Sequence, residues 1–391
     1  MKPFNFHSTK SIICQAGSLE QIGSICASLN IKRPVIITDA GIVSCGLMER
    51  LATHFTATSH AIEYIVFDKV KQDPDEETIA QALLCAKRNQ ADGVIGFGGG
   101  SPMDTAKLVA VLSISNQVLD DMYGIDKITG SRLPMILIPT TAGTGSEVTP
   151  ISIVTTGVTK KTGVVGDQLL PDVALLDATL TLNLPMHITA ATGIDAMVHA
   201  IEAFTGKIKK NIYSDMLAIQ ALKLLSENIK TSVFDGNNIE ARQAMLLGAC
   251  LAGQAFANSP VAAVHALAYP LGGHFQIPHG LSNALVLPFV MRFNASHCVD
   301  LYAQIARNIL PDLVSENTND IEAAEKLITH IEQLILSLGL PSSLAAVNIE
   351  HSDLDLLAKD AMRQTRLLVN NPKALSEKDA LNIYQQAFIG L

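Results

Sequence analysis

The chain has 391 residues, 48% apolar and 17% charged, with 28 basic against 37 acidic side chains and a net charge of −9. That length suits two or three domains with sizeable cores, and so much apolar material excludes a disordered chain. The acidic balance, with no basic tail or stripe, argues against nucleic acid and against an anionic membrane surface as partners.

Over residues 1–182, short β-branched runs alternate with helical stretches. Strands are expected at 35–38, 62–67, 93–97 and 135–138, and helices at 47–55, 76–89 and 102–112. Unbroken Val/Ile runs followed by helices point to a mostly parallel sheet covered on both faces. Later runs at 151–155, 162–165 and 173–176 suit further strands, two of them as a hairpin. From about Leu182 the pattern turns to Ala, Leu, Ile and Met at helical spacing, and residues 183–391 read as all helical. Helices are expected at 187–204, 213–227, 239–256 and 261–271, with several more beyond.

Residues 243–291 contain no Asp, Glu, Lys or Arg, yet include Gln254, Asn258, four prolines and three histidines. No run of about 18 purely apolar residues occurs there, so buried helices are expected rather than a membrane span. The six cysteines contain no Cys-x-x-Cys pair. Neither a zinc knuckle nor a disulfide framework is expected, and a reducing, cytoplasmic compartment fits best. The opening Met1-Lys-Pro-Phe-Asn-Phe-His7 lacks the apolar core of a signal peptide.

Three features carry chemistry. The first is a strand running into Gly98, Gly99, Gly100, Ser101 and Pro102. Glycines permit close backbone approach, Ser101 can cap, and a helix N-terminus suits a pyrophosphate. A plain tight turn is the alternative. Asp39 closes the first clear strand; it either forms a turn or accepts hydrogen bonds from an adenosine ribose, which would favour NAD over NADP. The second is the loop 138–149, dense in hydroxyls, where Thr140, Thr141 and Thr144 could line a cofactor; an ordinary Ser/Thr surface loop is the alternative. The third is Asp195 and His199 at i, i+4 on one helix face, with His265 and His279 in the uncharged stretch. One carboxylate and three imidazoles suit a divalent cation such as Fe²⁺ or Zn²⁺, and four polar groups in so apolar a region each need a partner. His274 is expected to be structural or supporting, and His7, His54, His60 and His187 to be solvated.

These segments together resemble the iron-containing (group III) alcohol dehydrogenase family. The resemblance runs through Gly98-Gly-Gly-Ser-Pro-Met-Asp-Thr-Ala-Lys107, Pro139-Thr-Thr-Ala-Gly-Thr-Gly-Ser-Glu147, Gly193-Ile-Asp-Ala-Met-Val-His-Ala-Ile-Glu202, His265, Pro278-His-Gly-Leu-Ser-Asn-Ala284 and the late Asn371-Pro372. It implies a Rossmann-like α/β dinucleotide-binding domain over 1–182 and an all-helical metal-binding domain over 183–391, the architecture shared with dehydroquinate synthase, with the site in the cleft between.

By resemblance, Asp195, His199, His265 and His279 fall on the metal ligands, Gly98–Ser101 on the pyrophosphate loop and Asp39 on the residue favouring NAD. Thr140, Thr144 and Lys161 fall on further cofactor contacts, and Asp104 and Lys107 on the polar end of the phosphate helix. Two positions depart from the family: Tyr269 replaces a frequent second His, and Asp73-Pro74 replaces a frequent Asn-Pro.

The implied activity is reversible, NAD-linked conversion of a small primary alcohol or diol to its aldehyde, in a homodimer or larger homo-oligomer. Ile151, Phe256 and Val261 are candidates for an apolar substrate wall, and ordinary core packing is the alternative for each. Competing readings are a hydroxy-acid dehydrogenase or transhydrogenase of the same fold, and a non-catalytic dinucleotide- or metal-binding protein.

Overall fold

The computed structural model describes residues 3–56, 62–157 and 160–391, so His60 lies outside the described residues. The chain divides into two compact units. One comprises His7–Leu184 with Asn237–Cys250; the other comprises Pro185–Gly236 and Leu251–Leu391 with the first six residues.

In the first unit the strands are β1 (Ser11–Cys14), β2 (Pro34–Ile37), β3 (Ile65–Phe67), β4 (Gly93–Gly98), β5 (Gly124–Ile125), β6 (Met135–Pro139), β7 (Ile151–Thr156), β8 (Lys160–Val165) and β9 (Val173–Leu176). Its helices are α1 (Ile22–Ser28), α2 (Ala40–Ser44), α3 (Leu47–Thr56), α4 (Glu76–Arg88) and α5 (Gly100–Leu112). Among the described residues a six-stranded sheet runs in the order β1-β9-β6-β4-β2-β3, with every pairing parallel.

Successive side chains of a strand point to opposite faces, and this divides the apolar runs between two cores. Ile36, Ile95, Phe97, Ile136 and Ile138 pack with α1 and α3 through Ile22, Leu51 and Phe55. Val35, Ile37, Val94, Met135 and Leu137 pack with α4 and α5 through Ala82, Ala86, Met103 and Ala106. Burial on both faces is why these strands read as unbroken apolar runs. The expected hairpin is β7–β8, antiparallel, with the short β5 added alongside. The edge strand β1 escaped the sequence reading because four residues, half of them exposed, carry little periodicity.

The second unit is built from α6 (Met186–Thr205), α7 (Ile212–Phe234), the end of α8 (Ile239–Asn258), α9 (Ala263–Phe275), α10 (His279–Ile309), α11 (Asp320–Ser337), α12 (Leu354–Ala361), α13 (Thr365–Leu368) and α14 (Glu377–Ile389). From Thr189 to Thr205, α6 is buried nearly all round, including the side that carries Asp195, His199 and Glu202. The late asparagines are structural. Asn371 and Asn294 exchange side-chain hydrogen bonds of 2.7 and 3.0 Å, and Asn370 donates to the Val261 carbonyl. No single helix among the described residues is long and apolar enough to cross a membrane; the charge-free stretch is spread over α8, α9 and α10, and α8 and α9 are bent by 106° at their break.

Candidate active site

β2 and β4 are neighbours, and the strand order reverses between them, which makes their carboxyl ends a topological switch point. β4 ends at Gly98 with φ of +149°, where an added Cβ would lie 2.8 Å from Pro102 Cγ. Only glycine turns the chain so abruptly into a helix, and α5 therefore starts earlier than expected. Gly99 holds the cap position without a side-chain bond. Ser101, expected to cap, falls inside the first turn, and its Oγ accepts from the Asp73 N–H at 3.3 Å.

The loop after β6 lies against this turn. The Thr140 N–H donates to the Gly98 carbonyl at 3.0 Å. A Cβ on Gly99 would sit 3.6 Å from Thr141 Oγ1, and one on Gly100 would sit 2.9 Å from Thr144 Cγ2. Asp39 does two things: Oδ1 accepts from Gly41 and Ile42 N–H groups, capping α2, while Oδ2 lies 3.4 Å from where a Gly98 Cβ would be.

Lys161 Nζ pairs with Asp73 Oδ1 at 2.9 Å and donates to Thr155 Oγ1, so the departing Asp73 neutralises a cation near the loop. Asp104 accepts from Ser146 Oγ at 2.6 Å and from the Ile153 N–H at 2.9 Å. Lys107 is fully buried and donates to Ser146, Thr149 and the Ile151 carbonyl. These two side chains stitch α5 to β7, and any dinucleotide contact by Asp104 would compete with those bonds.

Behind them lies Glu147, 2% exposed. Burial pushes its carboxyl from 4.5 up to about 7, against the opposing pull of its own backbone bond and of Lys107. A folded-state pKa above the unfolded value means the native state binds the proton more tightly between these pH values. The associated stability is present at low pH and lost as pH rises through 7, by at most about 3 kcal/mol. Glu147→Gln should therefore raise the melting temperature at pH 8 and leave it nearly unchanged at pH 5. Equal shifts at the two pH values would contradict this account.

In the helical unit, Asp195, His199, His265 and His279 each bring one donor atom into a group whose members all lie within 4.8 Å of one another. Helical geometry explains the convergence. Asp195 and His199 are one turn apart on α6, His265 sits in the first turn of α9, and His279 opens α10. Asp195 Oδ1 lies 3.6 Å from His279 Nε2 and 3.9 Å from His265 Nε2. The imidazoles of His199 and His265 stack with centroids 4.7 Å apart.

Burial alone would raise the Asp195 pKa, but His199, His279, His265 and an Asn283 hydrogen bond outweigh it and hold the group ionised below its ordinary value. Asp195, His199 and His265 are buried, whereas the His279 side chain is 39% exposed. Three donors are thus sealed from water, and the cluster is open to it on the His279 side.

Phe256 stacks on His199 with centroids 4.3 Å apart, which brings one of the three wall candidates to the cluster. Val261 offers its carbonyl to Asn370, and Ile151 begins β7 in the other unit. Tyr269 lies 6.0 Å from His279 and 6.5 Å from His265, ring to ring. His274 pairs with Asp360 at 3.0 Å, a structural role. His7 pairs with Asp167 on the surface, and His187 is exposed.

Two neighbours of the cluster were missed from sequence: Glu202, which accepts from His265 Nδ1 at 2.7 Å, and Asn283, whose Nδ2 donates to Asp195 Oδ1 at 2.5 Å. Both continue a helical repeat. Asp195, His199 and Glu202 stand at i, i+4 and i+7, and Asn283 follows His279 by four.

A parallel sheet with a glycine turn at its switch point is thus joined in one chain to a helical unit whose carboxylate–imidazole cluster could hold a metal ion. Residues 9–178 match the family model described as iron-containing alcohol dehydrogenase, and residues 189–388 match that of the Fe-containing alcohol dehydrogenase family, C-terminal. The chain belongs to the iron-containing alcohol dehydrogenase family, and it is an alcohol dehydrogenase enzyme.

It is 40% identical to long-chain-alcohol dehydrogenase 1 of Geobacillus thermodenitrificans over 96% of this chain and 94% of that protein. It is 31% identical to the NAD-dependent methanol dehydrogenase of Bacillus methanolicus, over 98% and 99%. A solved 1,3-propanediol oxidoreductase superposes with a TM-score of 0.94 at 31% identity, over 99% of this chain and 100% of that one.

Proposed function

We propose that this chain interconverts a small primary alcohol or diol with its aldehyde, using NAD(H) and a divalent cation, Fe²⁺ before Zn²⁺, held by Asp195, His199, His265 and His279. Convergence of four donors within 4.8 Å carries this reading. Asp195 Oδ1 stands 3.6 Å from His279 Nε2 and 3.9 Å from His265 Nε2, close enough for these side chains to share one cation. When bound, the cation supplies Lewis-acid polarisation of the substrate oxygen and the dinucleotide supplies hydride exchange.

The protein's own groups bind, orient and exclude. The N–H groups at Gly99–Ser101 would hold a pyrophosphate, and Asp39 Oδ2 would accept from a ribose hydroxyl while repelling a 2′-phosphate. Phe256 shields one side of His199 from water. Because residues 243–291 contain no Lys or Arg, no cation of that stretch is offered to an anionic substrate, which favours uncharged alcohols over hydroxy acids. The six free cysteines suit a reducing cytoplasm, and self-association to at least a dimer is expected in light scattering.

The test is NADH absorbance with anaerobically metal-loaded protein and ethanol, 1,2-propanediol, longer 1-alkanols or 4-hydroxybutyrate. Turnover of uncharged alcohols is expected; turnover of none of them overturns the proposal. Asp39→Gly should shift the NAD/NADP preference toward NADP by about 10–100-fold, the worth of one or two charge-assisted hydrogen bonds. An unchanged ratio removes Asp39 from the cofactor site.

A further inference from the structure

We propose that Glu202 is a positioning residue that sets the tautomer and ring orientation of His265; this rests on the metal-site reading above. Glu202 is 4% exposed and lies on α6, the helix that carries Asp195 and His199. Its two oxygens are divided between two jobs on α9. Oε1 accepts from the Val264 N–H at 2.7 Å, and Oε2 accepts from His265 Nδ1 at 2.7 Å.

The first bond caps α9, whose own cap residue Ala262 offers no side-chain acceptor, and a carboxylate at a helix N-terminus is favoured by the exposed N–H groups there. The second bond decides a proton position. An ionised carboxylate only accepts, so Nδ1 of His265 must carry the hydrogen, and in the neutral ring Nε2 is left with its lone pair. That Nε2 is the atom on the cluster side, 3.9 Å from Asp195 Oδ1. A carboxylate behind a ligating imidazole fixes its orientation and raises its basicity, and removing such a partner typically weakens metal binding about 10–100-fold.

Glu202 thereby ties three parts of the cluster together. It stands on the helix of two donors, caps the helix of a third, and points that third donor's lone pair inward. Glu202→Gln keeps the side chain's shape but removes its charge and puts a donor where one oxygen accepted. If the amide oxygen keeps the Val264 N–H, the NH₂ group faces Nδ1 and donates to it. The ring is then driven to the opposite tautomer, with a hydrogen on the Nε2 that faces the cluster.

The test compares the parent, Glu202→Gln and His265→Ala by competing Zn²⁺ or Co²⁺ against a chelator, with ¹⁵N-histidine NMR of the metal-free proteins. A 10–100-fold rise in the dissociation constant is expected for Glu202→Gln, with the His265 proton moving from Nδ1 to Nε2. Metal affinity within twofold of the parent overturns the proposal, provided His265→Ala has lost binding. If His265→Ala also binds normally, the metal-site reading itself falls. Should Glu202→Gln fail to fold, the parent decides: metal-free His265 protonated on Nε2 overturns the proposal.

Discussion

His265→Ala should yield a folded protein that no longer retains its metal, with turnover falling in step with metal content. His265 contributes one of four donors, its Nε2 lies 3.9 Å from Asp195 Oδ1, and its ring stacks on His199. Structural four-ligand zinc sites bind with about 10–16 kcal/mol, so one donor is worth roughly 3 kcal/mol, on the order of a hundredfold in affinity. The substitution also strips Glu202 Oε2 of its donor in a buried place. An unpartnered buried oxygen costs about 1–3 kcal/mol, so the metal-free protein should melt a few degrees lower. Metal analysis of anaerobically purified variant and parent separates the two effects. Unchanged metal content with surviving activity would mean that His265 is not a ligand.

Gly280→Ala should damage the same centre from the backbone. Gly280 is the second residue of α10, directly after His279. A Cβ there would lie 2.5 Å from the Ala191 carbonyl oxygen and 2.8 Å from its carbon, both main-chain atoms of α6. No side chain can swing aside, so the two helices must part. Overpacking of this kind costs about 1–3 kcal/mol. Because α6 carries Asp195 and His199 while α10 carries His279, the displacement spreads the donors, and metal affinity should fall about tenfold or more along with the melting temperature. Gly272→Ala is the control. Its Cβ would meet only the Ile277 carbonyl at 3.5 Å, an ordinary contact, and alanine favours the helix. Equal effects of the two substitutions would refute the close-approach explanation.

Much of the fold was legible because its signals are local. The Val/Ile runs of β2, β4 and β6 announced a sheet buried on both faces, and the glycines after β4 announced a helix turn. Helix limits were less legible. α7 runs to Phe234, seven residues past the expected end, and Ile229 and Val233 continue the buried face that Leu222 and Leu225 carry. Ser101 misled because capping preference is a property of the residue, whereas the cap position was decided by the φ of Gly98.

The four cluster residues were legible for a compositional reason. Histidines in a segment without a charged residue are conspicuous, and Asp195 with His199 repeats at one helical turn. What surrounds them was not. Glu202 meets His265 across 63 residues of chain, and Asn283 meets Asp195 across 88, and no local pattern records which helix faces which. The same holds for Asp104, whose carboxylate serves β7 from 49 residues away. By itself the sequence determined which residue types exist in which periodic segments, and therefore the sheet, the helices and the candidate donors, since hydrophobic period and backbone preference act over a few residues. The tertiary structure alone decided the partners: which oxygen holds which imidazole, and which glycine lets two helices touch. Those depend on distances between segments that the chain's local chemistry does not encode.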